Sequence, residues 1–227
     1  MQVTQSHLYG LDKQGLVNCL GHLLETNTAA AFLTMQRAAV SDGIDLQICS
    51  GYRNFEKQLS IWNAKASGKR VLLNRESQPV SIESLSSNQL INLILIWSAI
   101  PGMSRHHWGT DIDIFDANKI SREQLRLIPS EYQVNGPCFE LNQWLNKHAQ
   151  DYGFYRPYQP QLSGVSPEPW HLSYFPISAA YLEAYDLQSV KSVLASSDIL
   201  EKETILAQLE SLINEYVIRV APIPNSQ

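Results

Sequence analysis

Three short segments of the 227-residue chain concentrate the residue types that hydrolytic chemistry uses. The first is Ser104-Arg105-His106-His107-Trp108-Gly109-Thr110-Asp111-Ile112-Asp113. The second is Glu168-Pro169-Trp170-His171, and the third is Ser50-Gly51-Tyr52-Arg53. A catalytic zinc takes three protein ligands from histidine and carboxylate and keeps one position for water. His106 and His171, with a carboxylate from Asp111 or Asp113, make up such a set. Gly109 permits a sharp turn after His106, so a loop histidine and a strand carboxylate can converge. Side chains alternate along a strand, so Asp111 and Asp113 share a face and the spacing leaves either as the ligand.

Glu168 precedes His171 by three residues. A carboxylate beside the metal can take the proton of an attacking water and return it to the leaving amine. Arg53 stays charged and offers several donors to an oxygen that gains negative charge during attack. His7, His22 and His148 lack any such context and read as ordinary core or surface residues. Trp108 and Trp170 read as core aromatics. Cys49, at the end of a predicted strand, reads as a small buried hydrophobe.

These residues need elements to hold them. Apolar positions Leu16, Leu20, Leu23, Leu24 and Phe32 recur near helical spacing and predict one helix over residues 13–42, ended by Gly43. Ile44, Leu46 and Ile48 alternate with polar neighbours and predict a strand. Phe55, Leu59 and Trp62 share a helical face closed by Gly68, and residues 69–86 read as a loop. Residues 87–100 read as a buried helix, 111–115 as a strand, 139–148 as an amphipathic helix and 171–174 as a strand. From 178 to 220 there is no Gly or Pro, and two helical patterns break near Ser196-Ser197-Asp198, with Asp198 expected as an N-cap. The expectation is one domain over 1–227, with a catalytic core of about 10–176 and a C-terminal helical extension of about 177–220.

The net charge of −5 and the lack of a clustered basic patch argue against a nucleic-acid or anionic-membrane surface. The densest basic stretch, Arg70 to Arg75, is diluted by apolar residues and reads as a solvated loop. The apolar run from Leu90 to Ile100 is too short to span a membrane. Three widely spaced cysteines, Cys19, Cys49 and Cys138, give neither a disulfide framework nor a thiolate metal site. MQVTQSHLYG lacks the basic and apolar regions of a secretory leader, so the expected location is cytoplasmic, or periplasmic if a leader has been removed.

Ser104-x-His106-x-x-Gly109-x-x-x-Asp113, followed downstream by Glu168-x-x-His171, resembles the zinc-binding pattern of the LAS metallopeptidases of the M15 type. Ser50-Gly51-Tyr52-Arg53, with Gln58 after it, resembles that family's upstream element, and the three elements come in the family's order. The similarity extends from about residue 10 to residue 220 and points to the D-alanyl-D-alanine carboxypeptidase branch. The resemblance implies an α+β fold: a small, mostly antiparallel sheet carrying the zinc site, flanked by helices. It implies His106, Asp113 and His171 as ligands to Zn2+, Glu168 as general base and acid, and Arg53 as the oxyanion and substrate-orienting residue. Candidate substrate contacts are Ser104, Gln58, Asp111, His107 and Trp170, with Arg105 as a further candidate for a free carboxylate. Thr110-Asp111 departs from the small apolar residue that the family often carries there, which makes Asp111 alternatively a group orienting a ligand histidine. The implied partners are peptidoglycan stem peptides or muropeptide fragments, and the implied reaction is removal of the C-terminal D-alanine. Cleavage of the L,D bond of a recycled tetrapeptide is the rival expectation. Less favoured are an endopeptidase acting on cross-links and a non-catalytic zinc module that binds peptides.

Overall fold

The computed structural model describes residues 5–224; residues 1–4, part of the segment read for a leader, lie outside them. The N-terminal third departs from the expected single helix. Residues Leu16–Cys19 (β1) and His22–Glu25 (β2) form a hairpin, and only Thr26–Ser41 (α1) is helical. Cys19 pairs with His22, so Leu20 and Gly21 alone make the turn, at φ 52° and 87°. Two residues of positive φ match the right-handed twist of the flanking strands. The Gly21 N–H also donates to the Asn18 side chain at 3.2 Å. Leucine spacing that fits a helix thus loses to turn chemistry. Glu25 caps α1, accepting from the Asn27 and Thr28 N–H groups at 3.0 and 2.9 Å.

The strand Leu46–Ser50 (β3) leads into the helix Phe55–Ala66 (α2), capped by Asn54. The stretch expected as plain loop holds a minimal hairpin, Leu72–Leu73 (β4) with Pro79–Val80 (β5). The next helix, Ser87–Leu95 (α3), opens on a reciprocal Ser86–Gln89 capping box and stops before the expected Ile100. Then follow Asp111–Asp116 (β6), Phe139–His148 (α4), Phe154–Tyr155 (β7) and His171–Tyr174 (β8). Among the described residues, four short α-helices and a π-helical turn, Asn214–Ile218, follow instead of two helices: Phe175–Glu183 (α5), Leu187–Ser196 (α6), Lys202–Ala207 (α7) and Leu209–Ile213 (α8). Asp198 caps none of them, because α7 is entered three residues later from Glu201 at φ 64°.

The central sheet has the order β3-β6-β8-β7, and every pair is antiparallel. One face sends Ile48, Ile112, Ile114 and Leu172 into a core shared with Phe32 and Met35 of α1 and Leu141 and Leu145 of α4. The period of two sends Asp111, Asp113, His171 and Ser173 to the opposite face. A second apolar cluster joins Trp62 of α2 and Ile91 and Ile94 of α3 to Val190, Leu194, Leu212 and Val217 near the C-terminus. This is the α+β arrangement, with an antiparallel sheet between helices, that the sequence led us to expect. Among the described residues, no helix is long and apolar enough to cross a membrane.

The N-terminal hairpin docks onto the turn that carries His106. The Glu25 N–H donates to the Gly109 carbonyl at 2.9 Å. Gly109 has φ 71°, and a Cβ there would lie 2.9 Å from the Glu25 nitrogen and 2.5 Å from Leu16. Gly109→Ala should therefore lower stability by about 1–3 kcal/mol, read as a fall in the urea midpoint at constant m-value.

Candidate active site

Antiparallel pairing of β6 and β8 sets Asp113 opposite His171 and Asp111 opposite Ser173. His106 comes from the one-turn helix Arg105–Trp108, which Gly109 ends in the left-handed conformation. One ligand atom from each of His106, Asp113 and His171 lies within 4.8 Å of the others, and all three residues are buried. Nε2 of His106 is 3.2 Å from Asp113 Oδ2, and Nδ1 of His171 is 3.1 Å from Asp113 Oδ1.

The second nitrogen of each ring is already occupied. His106 Nδ1 faces the Gly51 carbonyl at 3.1 Å, and His171 Nε2 faces Asp111 Oδ1 at 3.0 Å. With those nitrogens donating, His106 Nε2 and His171 Nδ1 are the atoms left to bind a metal. Two imidazoles and one carboxylate, with the rear of each ring fixed, fit a zinc ion that keeps an open position. Glu168 Oε2 lies 3.5 Å from the same His171 Nδ1.

Arg105 and Asp111 form a fully buried pair at 2.8 Å behind His171. Ser173 joins them, accepting from Arg105 at 2.6 Å and donating to Asp111 at 3.1 Å, while Thr110 donates to Asp111 at 2.7 Å. The Arg105 guanidinium also stacks over Trp108, 4.4 Å from the ring centre. Burial alone would raise the Asp111 pKa, but Arg105 and His171 overturn this and hold it at about 2. Burial would lower that of His171, yet hydrogen bonds to Asp111 and Asp113 carry it up to about 10. Burial would raise Asp113 too, but His106 and His171 hold it well below the usual carboxylate range. Glu168 is different: burial pushes it up to about 7, with Asp113 adding to the rise against the pull of His171 and Arg53.

Arg53 is tied to the metal segment through the backbone. Its N–H donates to the His106 carbonyl at 3.0 Å, and its own carbonyl faces His107 Nδ1 at 2.5 Å. Its guanidinium donates to Gln58 at 2.8 Å and to Ser50 at 3.1 Å.

Arg53, Ser104, His106, Asp113, Glu168, Trp170 and His171 all border one cavity of about 410 Å³. Three of the candidate substrate contacts take other places. Gln58 is fully buried, accepting from Arg53 and donating to the Ala99 carbonyl at 2.6 Å, so it braces Arg53. His107 spends Nδ1 on the Arg53 carbonyl and Nε2 on the Gly102 N–H at 3.0 Å, and burial lowers its pKa to about 3. Asp111 sits behind His171, and Arg105, the further carboxylate candidate, is consumed by Asp111 and Ser173. Cys49 is a buried thiol donating to the Asp113 carbonyl at 3.3 Å. Sequence reasoning missed Lys65, Trp97 and Tyr158, which border the same cavity. The Tyr158 ring lies 4.7 Å from that of His171. None of these three belongs to a local motif; only the fold brings them in.

Two outcomes follow for metal binding. Asp111→Asn removes the charge that fixes the His171 ring and should weaken zinc affinity by about 10–100-fold, measured by chelator competition. In the metal-free protein His171 keeps its proton until the pH rises past about 10, so a metal entering at neutral pH must displace it. Zinc affinity should therefore rise by about tenfold per pH unit between pH 6 and 8, and the same competition series checks it.

Comparison with known proteins finds relatives in one peptidase family. The model of the VanY family, described as D-alanyl-D-alanine carboxypeptidase, matches residues 21–177. A D-alanyl-D-alanine carboxypeptidase of Enterococcus faecalis is 30% identical over 146 residues, which cover 63% of this chain and 45% of that protein. A solved structure of VanYB in complex with D-alanine-D-alanine superposes with a TM-score of 0.54 at 26% identity, over 77% of this chain and 86% of that one. A mutant of the vancomycin-resistance D,D-pentapeptidase VanY, in complex with Zn(II), shares the fold with a TM-score of 0.53 at 23% identity, over 86% and 92% of the two chains. The chain belongs to the VanY family of D-alanyl-D-alanine carboxypeptidases.

Proposed function

We propose that this member of a peptidoglycan carboxypeptidase family is a zinc-dependent D,D-carboxypeptidase that releases the C-terminal D-alanine of stem peptides. The observation that carries the reading is Glu168 standing 3.5 Å from the metal-facing nitrogen of His171, beside the His106–Asp113–His171 set. His106, Asp113 and His171 would hold the ion. A bound zinc supplies Lewis-acid activation of water and of the scissile carbonyl. Glu168 takes the water's proton on its carboxylate and later delivers it to the nitrogen of the departing D-alanine. The burial that lifts Glu168 to about 7 suits a group that must both accept and return a proton near neutrality. Arg53, braced by Gln58 and Ser50, presents its guanidinium to the oxygen that gains charge. Ser104 borders the cavity, and its hydroxyl is the group given to the terminal carboxylate of the substrate.

A peptide-binding module without catalysis has no use for a carboxylate at the position of Glu168, and this disfavours that reading. The bond preference rests on the family and on the relatives named above. Zinc-loaded protein should release D-alanine from a pentapeptide stem faster than from a tetrapeptide, as read by mass spectrometry of the products. A faster tetrapeptide reaction would assign the L,D bond instead. Glu168→Gln should retain one zinc per chain and lose about 10²–10⁴-fold in kcat. Full activity in that variant, or activity after complete zinc removal, would refute the mechanism.

A further inference from the structure

The cavity carries more positive charge than the hydrolysis uses. Its wall includes Arg53, Lys65, Arg70 and Arg126, against the two carboxylates Asp113 and Glu168. Asp113 is committed to the metal set and Glu168 to proton transfer, and a divalent ion adds two further positive charges. Among the described residues, Lys65, Arg70 and Arg126 enter no ion pair.

Lys65 differs from the two exposed arginines because it is half-buried. It follows Ile61 by one turn of α2, and both border the cavity. Gln58, which braces Arg53, lies one turn earlier on the same helix. The Arg70 N–H donates to the Ala64 carbonyl at 2.9 Å, which keeps Arg70 next to Lys65 at the end of α2. Burial pulls the Lys65 ammonium down to about 8, with Glu168 the acidic group that opposes the fall. A half-buried ammonium without a protein partner is costly, and an anion in the cavity would offset that cost. In the mechanism above, Arg53 is given to the oxygen that gains charge and Ser104 to the C-terminal carboxylate of the substrate. Lys65 borders the same cavity as Arg53 and Glu168, so an anion it meets there belongs to a residue near the scissile bond.

We propose that Lys65, with Arg70 beside it, binds a second carboxylate of the substrate, carried by the side chain of the stem's third residue. Peptides with a dicarboxylic diamino acid at that position are then preferred over peptides with lysine. This rests on the carboxypeptidase reading above and names the substrate class of the same site.

The test compares two stem pentapeptides that differ only in that side-chain carboxylate, diaminopimelate against lysine, on the zinc-loaded full chain. The expected result is a kcat/KM ratio of at least about tenfold in favour of the dicarboxylate, as a charge-assisted contact gives. Lys65→Met should bring that ratio close to one, Lys65→Arg should keep it, and Lys65→Glu should reverse it. Thermal denaturation of each variant reports folding, and the ratio is independent of how much protein is active. A ratio near one in the wild type, or one unchanged by Lys65→Met, overturns the subsite. Failure to release D-alanine from either peptide would instead overturn the carboxypeptidase reading. Calorimetric binding of the two peptides to the same protein then decides the subsite: tighter binding of the dicarboxylate, lost in Lys65→Met, supports it, and equal binding ends it.

Discussion

Burying Arg105, His106, Asp111, Asp113 and His171 around one strand pair imposes a constraint that organises the rest of the molecule: their charges must be met inside the protein. An ion taken out of water without a partner costs several kcal/mol, far more than a typical surface contact returns. The pairing of β6 with β8 meets most of this demand, because it sets both aspartates against His171. Arg105 adds to it by neutralising Asp111. The sheet is therefore the part that cannot shift. Helices α1 and α4 pack on its apolar face, and a one-residue slip would send the carboxylates into that core.

A second demand is that residues from distant segments keep a fixed separation across the cavity. Hydrogen bonds through main-chain atoms do this. The Arg53 N–H donates to the His106 carbonyl, His106 Nδ1 reaches the Gly51 carbonyl, and His107 Nδ1 reaches the Arg53 carbonyl. These links between segments far apart in the chain make the guanidinium and the metal-facing imidazole one rigid unit. His107, which by its type could pass for a spare ligand, belongs to this linkage. Its lowered pKa keeps it neutral, with one nitrogen donating and the other accepting.

The site is more legible in the sequence than the fold around it. Histidine, aspartate and glutamate at set intervals carry a chemical meaning that does not depend on packing, so His106, His171 and Glu168 stand out from residue type and spacing alone. The choice between Asp111 and Asp113 is not legible from strand period, since both share a face. The structure separates the two by the nitrogen of His171 that each one meets, Nδ1 for Asp113 and Nε2 for Asp111, a matter of cross-strand register. The hairpin at residues 16–25 is hidden because its turn is Leu20-Gly21, without the asparagine or aspartate that usually marks one, while its leucines fall near helical spacing. Gly15 and Gly21, on either side of Leu16 and Leu20, are the available signal. Lys65 escapes notice for a different reason. A lysine on an amphipathic helix reads as a solvated residue, and only the packing of α2 against the cavity makes it otherwise.

Asp111 also shows how the chain adds order to a metal site without changing its charge. Two neutral imidazoles and Asp113 give the ligand set one negative charge, so a divalent ion leaves the assembly with one positive charge. A further lone carboxylate behind His171 would cancel that charge and weaken the pull on an anionic substrate. Asp111 comes paired with Arg105, and the pair is neutral, so His171 gains a fixed orientation while the field in the cavity stays positive. Ser173 and Thr110 saturate the remaining oxygen of Asp111, which keeps the pair from reaching towards the metal. The departure at Thr110-Asp111 and the arginine at 105 are thus two halves of one device. Either half alone would bury an unpaired charge beside a metal ligand, so the two residues make physical sense only together.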